Sequence, residues 1–250
     1  MYSRIFPEVP TVLEMKDVMS DHDEPVVIRV PFVPDFDHYA RSIRYDDLDD
    51  AQQEARHLFE VAAAQLHPAC MITQRYITRH MRVKDLPAIE VAGRSFIGKA
   101  LSVLDDVHRV FPYVCTCGDQ MELFDLSSYD FLAPYWLDAL KVQALAAARK
   151  AMRSYCREHY GIQKPLSLNP GSGNVDIWPI EQLHELFSLM GGLDSVASYT
   201  GVYLTESSLM IPNKTIAGIL FTSAESDYES CAYCERPNCP SRRVPFETRL

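Results

Sequence analysis

The predicted fold is decided by residues 201–221, which read GVYLTESSLMIPNKTIAGILF. Residues 201–211 and 215–221 are both rich in β-branched and aromatic side chains, which favour strands. Between them stands the turn-forming sequence PNK, at residues 212–214. Two short β-rich runs joined by so short a turn predict a β-hairpin and therefore an antiparallel sheet.

The rest of the chain predicts helices placed between strands of this kind. Apolar residues recur at helical spacing over 46–66 and 135–159, and Gly161 follows the second run as a helix stop. The other predicted elements are strands at 26–30, 70–77, 88–91 and 111–115, a short helix at 98–110, a turn-rich loop at 167–174, and a helix from Pro179 to Met190. This mixed order favours an α+β fold around an antiparallel sheet.

The composition limits the kinds of protein that the chain can be. Its 250 residues are 47% hydrophobic, enough for one large domain or two modest ones. We find neither an apolar run of transmembrane length nor the apolar core of a signal peptide, so we predict a cytoplasmic protein without a membrane partner. A pI near 5.2 and a net charge of −10 argue against a nucleic-acid partner.

Cysteines cluster in the last twenty residues. Cys231, Cys234 and Cys239 have the spacing C-x2-C-x4-C. Three thiolates this close predict a metal centre, and we favour a [4Fe–4S] cluster with zinc as the alternative. A zinc knuckle would place its fourth ligand at residue 244, which is Val244. The predicted fourth ligand is therefore distant: Cys117 first, then Cys115, with Cys70 and Cys156 as weaker candidates.

Several motifs resemble the activation (AdoMet-binding) domain of cobalamin-dependent methionine synthase, and most closely its stand-alone relatives with a Cys-rich tail. They are NPG at 169–171, WPIE at 178–181, GVYLTES at 201–207, MIP at 210–212 and KTIAGI at 214–219. The resemblance covers about residues 110–245. It implies a C-shaped domain with a bent antiparallel sheet and flanking helices. We divide the chain into an N-terminal α+β portion (1–109), which either forms its own domain or completes the same one, an activation-like region (110–226) and a metal-binding tail (227–250).

The resemblance also implies site residues and a partner. In methionine synthase this domain docks on the cobalamin domain once cobalt is oxidised to Cob(II), and it supplies AdoMet while a flavodoxin supplies an electron. Asn169 and Gly171 would bind the cofactor by shaping its loop, and Glu206 would be the catalytic carboxylate. Trp178 would either stack on the corrinoid ring or only anchor the start of its helix. From its spacing alone, Glu206 is predicted on the solvent face of a strand.

One departure from the family pattern argues against AdoMet. The family's AdoMet loop reads Arg-x-x-x-Gly-Tyr, and these positions are Ser167, Gly171 and Ser172 here. Serine cannot replace the bidentate pair that an arginine makes with a carboxylate.

Taken together, the motifs and the tail predict a reductive activator of a corrinoid protein or methionine synthase. It would pass an electron from a low-potential donor to Cob(II) through the predicted cluster, acting on a corrinoid that the partner presents. Two alternatives are an AdoMet-dependent reactivation accessory and a zinc-clipped module that docks on a corrinoid protein. A methyltransferase with a cysteine-bound zinc ranks lowest.

Overall fold

The computed structural model describes residues 24–172, 177–223, 228–239 and 242–247. Its helices are α1 (Phe36–Ile43), α2 (Gln52–Gln65), α3 (Ala133–Tyr160), α4 (Leu183–Ser188) and α5 (Leu193–Thr200). Its strands are β1 (Val26–Arg29), β2 (Ala69–Ile72), β3 (Arg75–Val83), β4 (Leu86–Val91), β5 (Arg94–Ile97), β6 (Arg109–Thr116), β7 (Leu166–Leu168), β8 (Tyr203–Leu204), β9 (Met210–Ile211) and β10 (Thr215–Phe221).

Strand β6 lies at the centre of the main sheet. On one edge it pairs first with β2 and then with β3, in a single antiparallel register from Ala69–Thr116 to Tyr76–Arg109. On its other edge it pairs with β10, from Thr215–Thr116 to Leu220–Phe111. The segment 69–76 therefore runs along β6 as one long partner, and β10 closes the opposite side.

The remaining strands extend this centre outward. Strand β1 pairs with β2, strand β4 pairs with β3 and then with β5, and β7 pairs with β10, each time antiparallel. A register shift between Ile77 and Arg79 interrupts the β3–β4 pairing, and such irregularities bend a strand. The prediction of an α+β fold with an antiparallel sheet and flanking helices is confirmed, and the C-shaped outline stays a prediction.

Both faces of the sheet are buried. On β6, Phe111, Tyr113 and Cys115 belong to the apolar cluster beneath α3, whereas Val110 and Val114 belong to the cluster that α4 and α5 cover. A strand buried on both faces reads as a continuous apolar run, which explains why residues 110–115 do not alternate with polar ones. Strands from the 1–109 segment thus share one sheet with strands of the 110–226 segment.

Helix α3 is the long helix that the sequence predicts. Its stripe of Leu137, Leu140, Ala144, Ala148 and Met152 is buried, and Gly161 ends it in the left-handed region at φ 70°. The C-terminal half covers β1, β2 and β6, and the N-terminal half packs on α1 and α2. A separate apolar cluster forms there beside the sheet.

The predicted hairpin over 201–221 is wrong. Residues 203–211 form a small hairpin of their own, β8 with β9, and β10 pairs instead with β6 and β7. Serine and threonine cause the difference. Leu209 N–H donates to the Thr205 hydroxyl, and Ser208 adopts φ 62°, so the chain turns back at 205–208.

Other boundaries also differ from those predicted. The helix predicted over 98–110 is a short 3₁₀ segment, Lys99–Leu104, and β6 begins at Arg109 after a turn. Between residues 46 and 66, regular α-helix begins only at Gln52. The sequence analysis predicts neither α1 nor α5, because both have only eight residues and so give little periodic signal. Residues 1–23 and 173–176, within the predicted N-terminal portion and loop, lie outside the described residues.

Candidate functional site

The loop that follows β7 is joined to the sheet through Asn169. Its Nδ2 donates to Tyr113 Oη at 2.7 Å and to the Ala217 carbonyl at 2.8 Å, and its Oδ1 accepts from Ser167 Oγ at 3.2 Å. Burial raises the pKa of Tyr113 to about 12, so its hydroxyl stays protonated at neutral pH. This network fixes the loop that the motif resemblance predicts to correspond to the family's AdoMet loop.

Two glycines allow the loop to lie this close to its neighbours. A Cβ on Gly218 would stand 2.1 Å from the Leu168 carbonyl oxygen and 2.4 Å from Asn169 Nδ2. Gly171 has φ 74°, its N–H donates to the Trp178 carbonyl at 2.8 Å, and a Cβ there would meet the Ile180 side chain. The loop can therefore keep this shape only because Gly171 and Gly218 carry no side chain.

Trp178 is a buried anchor. The ring is fully buried, its Nε1–H donates to Gln182 Oε1 at 3.1 Å, and its edge faces Phe96. The Gln182 amide in turn bonds both the N–H and the carbonyl of Ile97. These contacts give Trp178 a packing role, and its predicted role in binding a cofactor, like that of Asn169 and Gly171, stays a prediction.

Glu206 lies at the exposed tip of the β8–β9 hairpin. The sequence places it within a strand, but the structure places it in the turn that Thr205 and Ser208 close with a backbone hydrogen bond of 2.9 Å. An exposed turn can present a carboxylate to a partner, so the catalytic role predicted for Glu206 stays a prediction.

Arg242 organises the cysteine tail. Its guanidinium donates to the carbonyls of Cys231 and Cys234 at 2.7 Å each and to that of Arg236 at 2.8 Å. A planar guanidinium carries five N–H donors, which allows one side chain to hold three carbonyls. The described part of the tail is thus wrapped around the Arg242 guanidinium, and its three thiols are half-buried.

The four predicted thiolate ligands are not brought together. Cys117 is fully buried in the cluster between α2 and α3, where its Sγ–H donates to the Gly118 carbonyl at 3.3 Å. The tail instead packs through Tyr228 and Tyr233 on a different apolar cluster, the one that α4 and α5 cover. Burial also raises the pKa of Cys117 to about 12, which disfavours the thiolate that a metal requires.

No group of three or more His, Cys, Asp or Glu side chains among the described residues is arranged to hold a metal ion. The residues present, as placed, do not fit a four-thiolate centre, and the predicted [4Fe–4S] cluster is unsupported.

The alternative fourth ligands are fully buried as well. Cys70 and Cys115 face each other across β2 and β6, and Cys70 Sγ donates to the Ala148 carbonyl at 2.9 Å. Burial raises the pKa of Cys115 and also that of Cys156, to about 12 for the latter. These three thiols behave as inert parts of the core beneath α3.

Comparison with known proteins identifies the architecture. No protein-family model matches the sequence, and no curated protein matches it either. The structure is similar to a solved one, the crystal structure of the MetH reactivation domain bound to AdoHcy, with a TM-score of 0.52 at 15% identity, covering 89% of this chain and 83% of that one. The chain has the reactivation-domain fold. At this identity the likeness concerns the fold alone.

The reactivation-domain fold agrees with the family resemblance that the motifs carry. The GVYLTES and KTIAGI motifs correspond to β8 with its turn and to β10. Because the likeness extends over 89% of the chain, it reaches beyond residues 110–245 into the N-terminal strands. None of the helices in the described ranges is long and apolar enough to cross a membrane.

Sequence reasoning missed the buried polar group next to Cys117. Lys141 Nζ lies 2.5 Å from Glu122 Oε1, and the lysine side chain is only 10% exposed. The two residues are nineteen positions apart, on α3 and on the loop before it, so no local spacing marks the pair. The one sign of this pair in the sequence is that Lys141 interrupts the apolar stripe of α3.

Proposed function

We propose that the protein is a reactivation accessory that docks on a corrinoid protein such as methionine synthase. The observation that carries the proposal is the reactivation-domain fold over 89% of the chain. The motif resemblance supports it independently: GVYLTES spans β8 and the turn after it, and KTIAGI lies along β10. The corrinoid belongs to the partner, and this chain supplies a docking surface.

An S-adenosyl ligand is the small molecule that fits this role. The solved reactivation domain has AdoHcy bound, which weighs against the prediction that AdoMet does not bind. In this chain the aligned loop keeps its tight shape through Asn169, Gly171 and Gly218. It lacks the guanidinium that would pair with the ligand's carboxylate, so we propose that the protein binds AdoMet weakly at this loop.

Restoring the missing cation is expected to strengthen AdoMet binding. Ser167→Arg should raise the affinity about tenfold or more, because a charge-assisted hydrogen bond to a carboxylate contributes about 1.5–3 kcal/mol. Calorimetric titration of AdoMet into the wild-type protein and the variant measures the change. Lys164→Arg, which changes a neighbouring exposed cation, serves as the control. No gain for Ser167→Arg would contradict the assignment of the loop.

Docking is tested with a corrinoid protein held in the Cob(II) state. The wild-type protein should co-elute with a Cob(II) methionine synthase that lacks its own reactivation domain. We propose that Glu206 contacts the partner, so Glu206→Ala should weaken the complex about fivefold to tenfold, in the range of an interface residue that costs over 1 kcal/mol. Glu158→Ala, an exposed carboxylate on α3, should leave the complex unchanged. Absence of any complex with the Cob(II) protein would overturn the proposal.

The reductive role is the second candidate, and the C-x2-C-x4-C motif is the observation that favours it. Anaerobic purification with iron, sulfide and zinc quantified on one sample separates the possibilities. About four irons and four sulfides per chain would support a cluster that forms by rearrangement of the tail. About one zinc would support the zinc-clipped docking module. A metal-free protein would leave the tail organised by Arg242 alone.

A further inference from the structure

A basic groove lies between α3 and the cysteine tail, and the proposed function gives it no role. Its volume is about 530 Å3. The described residues that line it include five cations and no carboxylate: Ala146, Arg149, Lys150, Arg153, Ser154, Arg157 and Arg243. In a chain of net charge −10, this is a local excess of positive charge.

The cations form a row along one side of α3. Arg149, Arg153 and Arg157 are spaced four residues apart, which places them on one helical stripe about 12 Å long. Like charges at this spacing repel and destabilise a helix unless an anion offsets them. The helix dipole stabilises Arg157 in the last turn, but its effect does not reach Arg149 or Arg153.

The tail supplies the opposite side of the groove. Arg243 forms an ion pair with Glu229, which holds its side chain in place. Ser154 Oγ accepts from Arg157 Nη2 at 3.0 Å and remains able to donate its own hydrogen. The groove therefore offers guanidinium groups from two segments of the chain and one hydroxyl donor between them.

We propose that this groove binds a small molecule that carries two or three linked phosphates, such as a nucleoside diphosphate or triphosphate. Its volume lies within the range of about 300–1,000 Å3 that is usual for small-molecule sites. Guanidinium groups recognise phosphate through paired hydrogen bonds. Three arginines in a row offer more donors than a single phosphate can use, and they suit a ligand with several linked phosphates.

The test is calorimetric titration of ATP into the full-length protein at about 0.15 M salt, where exposed charges beyond about 8 Å are screened. Arg153→Glu should weaken ATP binding at least about tenfold, because it removes a charge-assisted contact and adds a repelling charge. Arg79→Glu, at an exposed position on β3, makes the same change in net charge and should leave the affinity within about twofold.

Competing ligands define the site further. Adenosine should not bind, inorganic tripolyphosphate should displace ATP, and AdoMet should not displace it, since the S-adenosyl loop is a different place. The proposal is overturned if ATP does not bind the wild-type protein, or if both glutamate variants weaken binding equally. It is also overturned if an oligoglutamate peptide binds as tightly as ATP, because the groove would then be a docking surface for an acidic protein.

Discussion

Glu122→Ala is expected to lower the free energy of unfolding by about 2–3 kcal/mol, because it leaves the largely buried ammonium of Lys141 without its partner. The Lys141 ammonium lies 2.5 Å from the Glu122 carboxylate, and only 10% of the lysine side chain is exposed. Around it are α3 residues of the cluster that also holds Cys117 and Trp136. Urea denaturation of the wild-type protein and the variant measures the loss.

The double variant Glu122→Leu, Lys141→Met is the matched control. It removes both charges and keeps apolar volume, and such replacements are often neutral or stabilising. Its stability should therefore fall within about 1 kcal/mol of the wild-type value. If Glu122→Ala alone were equally mild, water would have to reach the ammonium, and Lys141 would not be buried in solution.

Gly218→Ala is expected to cost about 2–3 kcal/mol, the upper range for overpacking a well-filled interior. The new Cβ would stand 2.1 Å from the Leu168 carbonyl oxygen, so β7 would have to move away from β10. Because a change of 1 kcal/mol shifts the melting temperature of a domain of this size by about 2–4 °C, thermal unfolding should shift down by about 4–12 °C. The hydrogen bond from Asn169 to Ala217 should be lost with it.

Gly93→Ala separates this clash from a general effect of alanine. Gly93 has φ 74° and no atom within 4 Å of the position of a Cβ. It should lose only the backbone preference of glycine, about 1 kcal/mol. Equal losses at the two positions would mean that β7 yields easily and that the loop is not held as described. A Gly218→Ala protein with normal AdoMet affinity would show that the loop does not bind the ligand.

The helices and strands predicted best from the sequence are those formed by long or strongly patterned segments. The buried stripe and the glycine stop of α3 are where periodicity places them. The strands around 26–30, 88–91 and 111–115 are also present, since β-branched runs mark buried strands. The hairpin failed because pairing is decided by distant residues: β10 fits against β6, about one hundred positions earlier, rather than against its neighbour in sequence.

The candidate site was less predictable, for physical reasons that differ by residue. Trp178 and Asn169 were chosen by resemblance, and their partners, Gln182 and Tyr113, become visible only when the chain is folded. The cysteine spacing predicted a metal-binding tail, which stays a prediction. It could not show that Arg242 holds the carbonyls of that tail, because a guanidinium among backbone oxygens leaves no pattern in the sequence.

The central position of β10 has a consequence for how the protein is made. Strand β7 has β10 as its partner, and β6 needs β10 to fill one edge, yet β10 leaves the ribosome after both. Until then a nascent chain exposes two strand edges with unpaired amides and carbonyls, which invite association between neighbouring chains. A chain interrupted before Thr215 would therefore aggregate rather than survive as a smaller domain, because its main sheet stays open until β10 has been made.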